Sequence, residues 1–438
     1  MFSRKLFVAA AALLLFSACS DDADSEKTLP YEELMEEELA YNHFLLKTHY
    51  LHKEEKLKNY EHYSNIPAEG DFGKVIAMYD SMGDQYTQYF TPDEAQEVLA
   101  LLTSSGDGGA ISGFEMEENE SGDTTVVTLA YSGYAAHDAG MRKNDRIVEV
   151  NGVNVTGPNT LNRTYDLLGG TRTEIKVIDA QGVEKNLVIT KRKGTPPTVF
   201  LDSVGSIPVI QITEFTGKTS HPEGTKEEFR EALAKIQGAK AGVIDLRGNP
   251  GGEMEHVLDM ADQIIAAGEI IRYVDHYYDS DVDQARVDTV KVQATQGGLG
   301  ENTKWVFLAD EESASSSEVM LFAAKNNLNS SFVGTTTYGK GVGQYYINTY
   351  AGGLAGITAL KFFDQNWYTY NEIGIVPDEE IANDAAALAR AVALSEQALG
   401  LRRRSAAASA KEAAKLSRRI ALRRVDTQKR MGGAWKMK

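Results

Sequence analysis

From residue 31 to about residue 102, apolar side chains recur at near-helical spacing among glutamates and lysines, without strand-like alternation. Leu34, Met35, Leu39, Leu45 and Leu46 set this pattern, which predicts an N-terminal helical region over 31–105. Pro67 and Gly70 interrupt it. Thr91-Pro92-Asp93-Glu94 reads as a fresh helix start with proline at the first helical position. A Ser/Gly/Asp run at 104–109 closes the region.

Between 109 and 193 the period shortens to two. Residues 124–130 alternate and are β-branched, and 147–150 lead into Asn151-Gly152 with Val153 and Val155 beyond, a two-residue hairpin signal. Leu161, Tyr165 and Leu168 fall on one helical face, stopped by Gly169-Gly170. With further strands at 174–178 and 187–190, this segment predicts a small α+β module. Gly194-Thr195-Pro196-Pro197 marks the next boundary.

From 198 to 384 strands and helices alternate. Strands are predicted at 209–212, 242–246, 270–274 and 305–309. One helix opens at Thr225-Lys226-Glu227-Glu228, and another carries Leu258, Ala261, Ile264 and Ile265. Such alternation predicts an α/β domain with a mainly parallel or mixed sheet. A helix over 385–400 follows. Residues 401–438, rich in Ala, Arg and Lys, read as a helix or a disordered run, with solvent the expected surrounding.

Charge sharpens that contrast. The net charge is -18, yet residues 401–438 hold 13 Lys/Arg against 2 Asp/Glu, a local +11 that leaves -29 for the rest. A body so acidic repels phosphates, so no nucleic-acid partner is expected for the globular part. The basic tail offers anionic lipid or nucleic acid as rival partners to plain solvation.

The single cysteine, Cys19, is explained by its position. Arg4 and Lys5 precede an apolar stretch over 6–16, which runs into Phe16-Ser17-Ala18-Cys19. This resembles a bacterial lipoprotein signal, with an ordinary signal peptide and a chance cysteine as the bland alternative. It implies a signal over 1–19, acylation of Cys19, a tether over 20–30, and a lipid-anchored place in the cell envelope, at the periplasmic face or outer surface. Cysteine catalysis and disulfides are then excluded.

Glu312-Ser313-Ala314-Ser315-Ser316-Ser317-Glu318 follows a predicted strand and precedes an apolar run. Ser315-x-x-Glu318 is itself a capping box, so a purely structural role is open. The chemical alternative is a nucleophile at a strand-to-helix turn, where unpaired N–H groups face a developing oxyanion. Its base need not be histidine: His221, His256 and His276 stand in polar stretches and read as solvated. Lys340, in Tyr338-Gly339-Lys340-Gly341, serves if burial lowers its pKa. A phosphate-loop reading of 334–340 fails because Gly341 replaces the magnesium-binding Ser/Thr and a strand, not a helix, follows. Nothing in the sequence calls for a metal or a cofactor.

Taken together, the serine cluster, Lys340 and Gln344 resemble the carboxyl-terminal-processing (tail-specific) peptidases. So do the loop Asp245-Leu246-Arg247-Gly248-Asn249-Pro250-Gly251-Gly252, the closing Gly374-Ile375-Val376-Pro377-Asp378, and the early Asp84-Gln85-Tyr86-Thr87-Gln88-Tyr89-Phe90. Residues 109–193 resemble a PDZ domain, through Ser132-Gly133-Tyr134-Ala135-Ala136 and the run 139–147. The resemblance spans about 31–384.

It implies an α/β crotonase-like catalytic core, Ser315 as nucleophile, Lys340 as base and Gln344 as the group orienting the lysine. It also implies oxyanion donors at the Ser316 N–H and in Gly251-Gly252, and an acyl-enzyme route for cleaving exported polypeptides. The PDZ-like module would take substrate C-termini by strand addition, with Ile111-Ser112-Gly113-Phe114 as the carboxylate loop. Asp310-Glu311-Glu312 is more acidic than the family pattern and Ser316 stands where alanine is common. The acidic run is read as bearing on substrate preference. The rival function is a catalytically silent peptide-binding lipoprotein. Oligomeric state is not legible.

Overall fold

The run Ala241–Asp245 is buried along its whole length, as a central parallel strand covered on both faces must be. It lies in a computed structural model that describes residues 30–103, 110–131, 133–219, 221–400 and 406–430. Cys19 and the predicted signal segment lie outside these residues. The chain forms two units. One comprises the described stretches up to Thr103, Val199–Thr216 and those from Phe229 onward; the other comprises Ser104–Thr198 with Gly217–Glu228.

In the first unit a six-stranded mixed sheet runs in the order Val199–Val204, Ile207–Ile212, Ala241–Asp245, Lys304–Ala309, Ser331–Gly334, Glu379–Glu380. Only the first pair is antiparallel. Neighbouring residues along a strand point to opposite cores. Ile210, Ile244 and Phe307 enter a core shared with the helices Met254–Asp262 and Ser316–Leu328. Val209, Val243, Val306 and Leu308 enter a second core on the other face. A five-stranded antiparallel sheet contains Gln88–Phe90, Leu354–Phe363, Glu269–Asp279, Gln284–Gln293 and Val342–Asn348. On it rest Leu39, Leu45 and Leu46 of the helix Tyr31–His49, in contact with a cluster that includes Ala355 and Ile357.

The basic tail departs from expectation. Ala406–Arg430 is a helix, and Ala413, Leu416 and Ile420, at helical spacing, complete the second core beside the helix Asp384–Ala398. Arg419 and Arg423 each reach the buried Asp202 at 2.9 Å, and Arg423 also lies over the Phe200 ring. The run is therefore not simply solvated: part of its positive charge meets the acidic body. Among the described residues no helix is long and apolar enough to cross a membrane.

The second unit holds an antiparallel sheet in the order Phe114–Glu118, Thr125–Ala130, Arg146–Val150, Arg172–Ile178, Glu184–Thr190. Asn151 and Gly152 both have positive φ, 50° and 80°, as the two-residue turn demands. On the helix Thr160–Leu167 and just beyond it, Leu161 and Leu168 of the predicted face pack against the module's core, but Tyr165 does not. Thr160 and Thr164 are buried, both within reach of the Thr125 hydroxyl, whereas Tyr165 is 56% exposed. Hydroxyls that satisfy one another inside the module replace the aromatic ring there.

Candidate active site

Ser315 ends the turn between the strand Lys304–Ala309 and the helix Ser316–Leu328. Its backbone, at φ 53° and ψ -117°, is one that an L-residue adopts only under constraint, at a cost of about 1–3 kcal/mol. The constraint is visible. Ala314 N–H donates to the Asn249 carbonyl at 3.0 Å, the Ser317 hydroxyl donates to the same carbonyl at 2.8 Å, and the Ser316 hydroxyl donates to the Gly252 carbonyl at 2.7 Å. The 249–252 loop thus clasps the serine turn from both sides.

That loop is fixed at its root by a buried pair. Arg247 donates through Nε and Nη2 to the two oxygens of Asp245, at 2.9 and 2.6 Å, and through Nη1 to Asp384 at 2.9 Å. Burial alone would raise the Asp245 carboxyl, but the guanidinium holds it below its ordinary range. At Gly251, φ 105°, a Cβ would come within 2.8 Å of Ser315 Cβ and 2.9 Å of Ser316 N, so only glycine fits. Gly251 N–H already donates to Asn249 Oδ1 at 2.8 Å. This corrects the expectation that either glycine could serve the oxyanion. In the serine turn and the glycine loop, the Ser316 and Gly252 N–H groups have no partner among the described residues.

The loop that carries Lys340 approaches the same turn. Tyr338 N–H donates to the Ser313 carbonyl at 3.1 Å. Glu318, fully buried, accepts Ser315 N–H, Lys340 N–H, Gly339 N–H and the Thr337 hydroxyl, all within 2.6–2.9 Å. Burial pushes its carboxyl up, and these donors oppose the shift. The sequence offered Glu318 only as half of a cap; its grip on the lysine loop needed the fold.

Lys340 keeps some exposed surface as a residue, but its amine is desolvated. Burial lowers its pKa from 10.5 to about 8, against the opposing charges of Glu318 and Asp84. Its Nζ lies 4.9 Å from the Tyr86 ring centroid. Tyr86 was legible only as part of the early motif, with no role attached. No hydrogen bond joins Lys340 Nζ to Ser315 Oγ; the loops meet through backbone and Glu318.

Gln344 sits on the strand Val342–Asn348, and its buried Nε2 has no partner among the described residues. It is not hydrogen-bonded to Lys340. Two of the three histidines are not the solvated groups expected: His256 is 3% exposed and lies 3.7 Å from Glu253, and burial lowers the His276 pKa. Nor does the acidic run face outward as a unit. Asp310 accepts Gly248 N–H at 2.8 Å, and Glu311 accepts the Thr335 hydroxyl at 2.6 Å. Among the described residues no group of three His, Cys, Asp or Glu could hold a metal ion.

In the second unit Phe114 begins an edge strand. Ser112 and Gly113 direct their carbonyls inward, to Ala136 N–H at 2.8 Å and Tyr131 N–H at 2.9 Å. At Gly113, φ 81°, a Cβ would collide with the Tyr134 side chain. The close approach requiring glycine is therefore Tyr134, not a ligand. Ile111 pairs with Arg192 in a two-stranded ribbon.

Residues 206–381 match Peptidase family S41, and residues 126–179 match a PDZ domain family. The carboxy-terminal processing protease CtpA of Bacillus subtilis (strain 168) is 29% identical over 313 residues, covering 70% of this chain and 62% of that one. The "Probable CtpA-like serine protease" of Staphylococcus aureus (strain N315) is 28% identical over 310 residues, with 70% and 59% covered. The chain thus spans about three fifths of the length of these relatives. Among solved structures, a photosystem II D1 C-terminal processing protease aligns at TM-score 0.48 and 21% identity, over 79% of this chain and 92% of that one.

Proposed function

We propose that the chain is a member of peptidase family S41 with a PDZ domain, the families that residues 206–381 and 126–179 match, and that it is a serine endopeptidase working by a Ser–Lys mechanism. The observation that carries this reading is the pairing of a strained Ser315 with a desolvated Lys340 whose loops share Glu318. Neutral Lys340 removes the Ser315 hydroxyl proton as Oγ attacks the scissile carbonyl. The negative charge that develops on the carbonyl oxygen is met by the Ser316 and Gly252 N–H groups. Lysine then protonates the leaving amine, and water, deprotonated in turn, hydrolyses the acyl-enzyme. A loose apo geometry between base and nucleophile is compatible with this, since such contacts tighten on substrate binding.

Gln344 is assigned to positioning Lys340, which its unpartnered buried amide supports. A crotonase-like description of the core belongs to the same proposal. The PDZ domain takes polypeptide C-termini along the edge strand Phe114–Glu118. The Ser112 and Gly113 N–H groups, without partners among the described residues, are offered to the carboxylate. Cys19 anchors the protein by lipid in the cell envelope, a reading that rests on the sequence around it.

The test is cleavage of an unstructured polypeptide by wild type, Ser315→Ala and Lys340→Ala. Loss in both variants supports the mechanism; full activity in either removes it. A wild type that binds C-terminal peptides without cleaving them identifies the silent binding protein instead. Radiolabelled palmitate uptake by wild type but not Cys19→Ala tests the anchor.

A further inference from the structure

Asp310 follows the strand Lys304–Ala309, and its carboxylate ties together the two turns that flank Ser315. Oδ1 accepts Gly248 N–H at 2.8 Å and Glu312 N–H at 3.2 Å, and lies 3.1 Å from Ser313 Oγ. Ser313 Oγ accepts Asp310 N–H and lies 2.9 Å from the Leu246 carbonyl. One residue beyond Gly248 is Asn249, which holds Gly251, Ala314 and Ser317. The route from Asp310 to the neighbours of Ser315 is therefore short: one hydrogen bond to Gly248, one peptide link to Asn249, and the hydrogen bonds of Asn249.

The other oxygen of Asp310 meets the C-terminal helix. Arg424 Nη1 lies 3.4 Å from Asp310 Oδ2 and 3.2 Å from Asp384 Oδ2. Its stem crosses Gly248 closely: a Cβ at that residue, φ 67°, would come within 2.8 Å of Arg424 Cδ. Asp310 also faces Asp245 from the neighbouring strand, whose own cation, Arg247, is bonded to Asp245 and Asp384. Burial pushes the Asp310 carboxyl up, and Arg424 is the strongest influence pulling it down. A desolvated carboxylate that loses its cation takes a proton more readily, and the protonated form is a weaker acceptor.

We infer that Arg424 is a positioning residue for hydrolysis: it holds Asp310 as the anion that fixes Gly248 and, through Asn249, the Gly251-Gly252 loop against Ser315. The helix Ala406–Arg430 is thereby a working part of the site. This rests on the peptidase reading.

The experiment compares full-length wild type with Arg424→Gln and Arg424→Lys on an unstructured polypeptide from pH 6 to 8.5, beside hydrogen exchange of segment 248–252. Arg424→Gln is expected to lower kcat roughly tenfold with KM within about twofold. The ratio to wild type worsens as pH falls, because Asp310 now takes its proton at higher pH; Arg424→Lys recovers most of the loss. Exchange over 248–252 quickens in Arg424→Gln. A kcat within about twofold of wild type at every pH, or a loss that is uniform in pH and not relieved by lysine, overturns the inference. If cleavage proves independent of Ser315, the peptidase reading falls by that control. Exchange then judges Arg424 alone, and unchanged protection sinks it.

Discussion

Ser315 and Lys340 donate their backbone N–H groups to the same atom, Oε2 of Glu318, at 2.9 and 2.8 Å. The second oxygen takes Thr337 Oγ1 and Gly339 N–H, both at 2.6 Å. A carboxylate accepts at both oxygens, and an amide only at one. Glu318→Gln must therefore turn an NH2 group toward one pair of donors, and Glu318→Ala leaves all four unmet. Each buried donor left unpaired costs about 1–3 kcal/mol, and a misplacement near 1 Å costs about 10²-fold in rate. Both variants are expected to lose about that much kcat, glutamine offering no rescue. Steady-state kinetics at saturating substrate decide it, and near-wild-type activity in Glu318→Gln would show that the shared oxygen is unimportant.

The lowered pKa of Lys340 sets the pH dependence. If Lys340 is the base, as proposed, it acts only when neutral, so kcat/KM should climb as pH rises through about 8 and then level. Tyr86 covers the amine. Replacing it with alanine admits water, favours the ammonium and moves the rise toward the ordinary lysine range. Tyr86→Phe keeps the ring face and stays near wild type. A pH–rate profile of Tyr86→Ala that superimposes on wild type would refute the shielding role.

Backbone strain at Ser315 has a stability signature. At φ 53° and ψ -117° glycine is tolerated and alanine is not. Both substitutions remove the Ser315 hydroxyl, yet Ser315→Gly should be more stable than Ser315→Ala by about 1 kcal/mol. Urea denaturation of the two proteins measures the difference, and a more stable alanine variant contradicts the strain.

Gly251 leaves no room for a methyl group between the loop and Ser315 Cβ. Gly251→Ala should push Ser316 N from its place and cut kcat by about 10²-fold or more, the loss typical of a missing oxyanion donor. Binding of a C-terminal peptide to the PDZ domain, followed by fluorescence polarisation, should be unaffected. Unchanged kcat would mean that the loop yields without consequence.

Local signals were the legible ones. Asn151-Gly152 declared its turn because two positive φ values suit those residues. Thr91 and Glu94 declared a helix start, and Glu94 does accept the Thr91 N–H and hydroxyl. Ser315 and Lys340 stood out through motif and spacing. What escaped was long-range pairing, which no periodicity encodes. The buried Thr160 and Thr164 went unread because Thr125, the hydroxyl they meet, lies some 35 residues back along the chain. His256 looked polar by company but lies in the core of the unit. The arginines of the tail looked solvated because Asp202 and Asp310, their counter-charges, stand far back along the chain.

Proteins are made from the N-terminus onward, and domains begin to fold as they emerge. Ser315, Lys340 and the glycine loop are all synthesised before the helices Asp384–Ala398 and Ala406–Arg430, which share a core with Val209, Val243 and Leu308, the second of them also reaching Asp310. A nascent chain therefore carries every reacting group while the far side of its sheet is still bare. On the peptidase reading, and with Arg424 as the brace inferred above, the order of synthesis delays assembly of the site until translation has passed Arg424, so a growing copy is poorly equipped to cut itself or its neighbours.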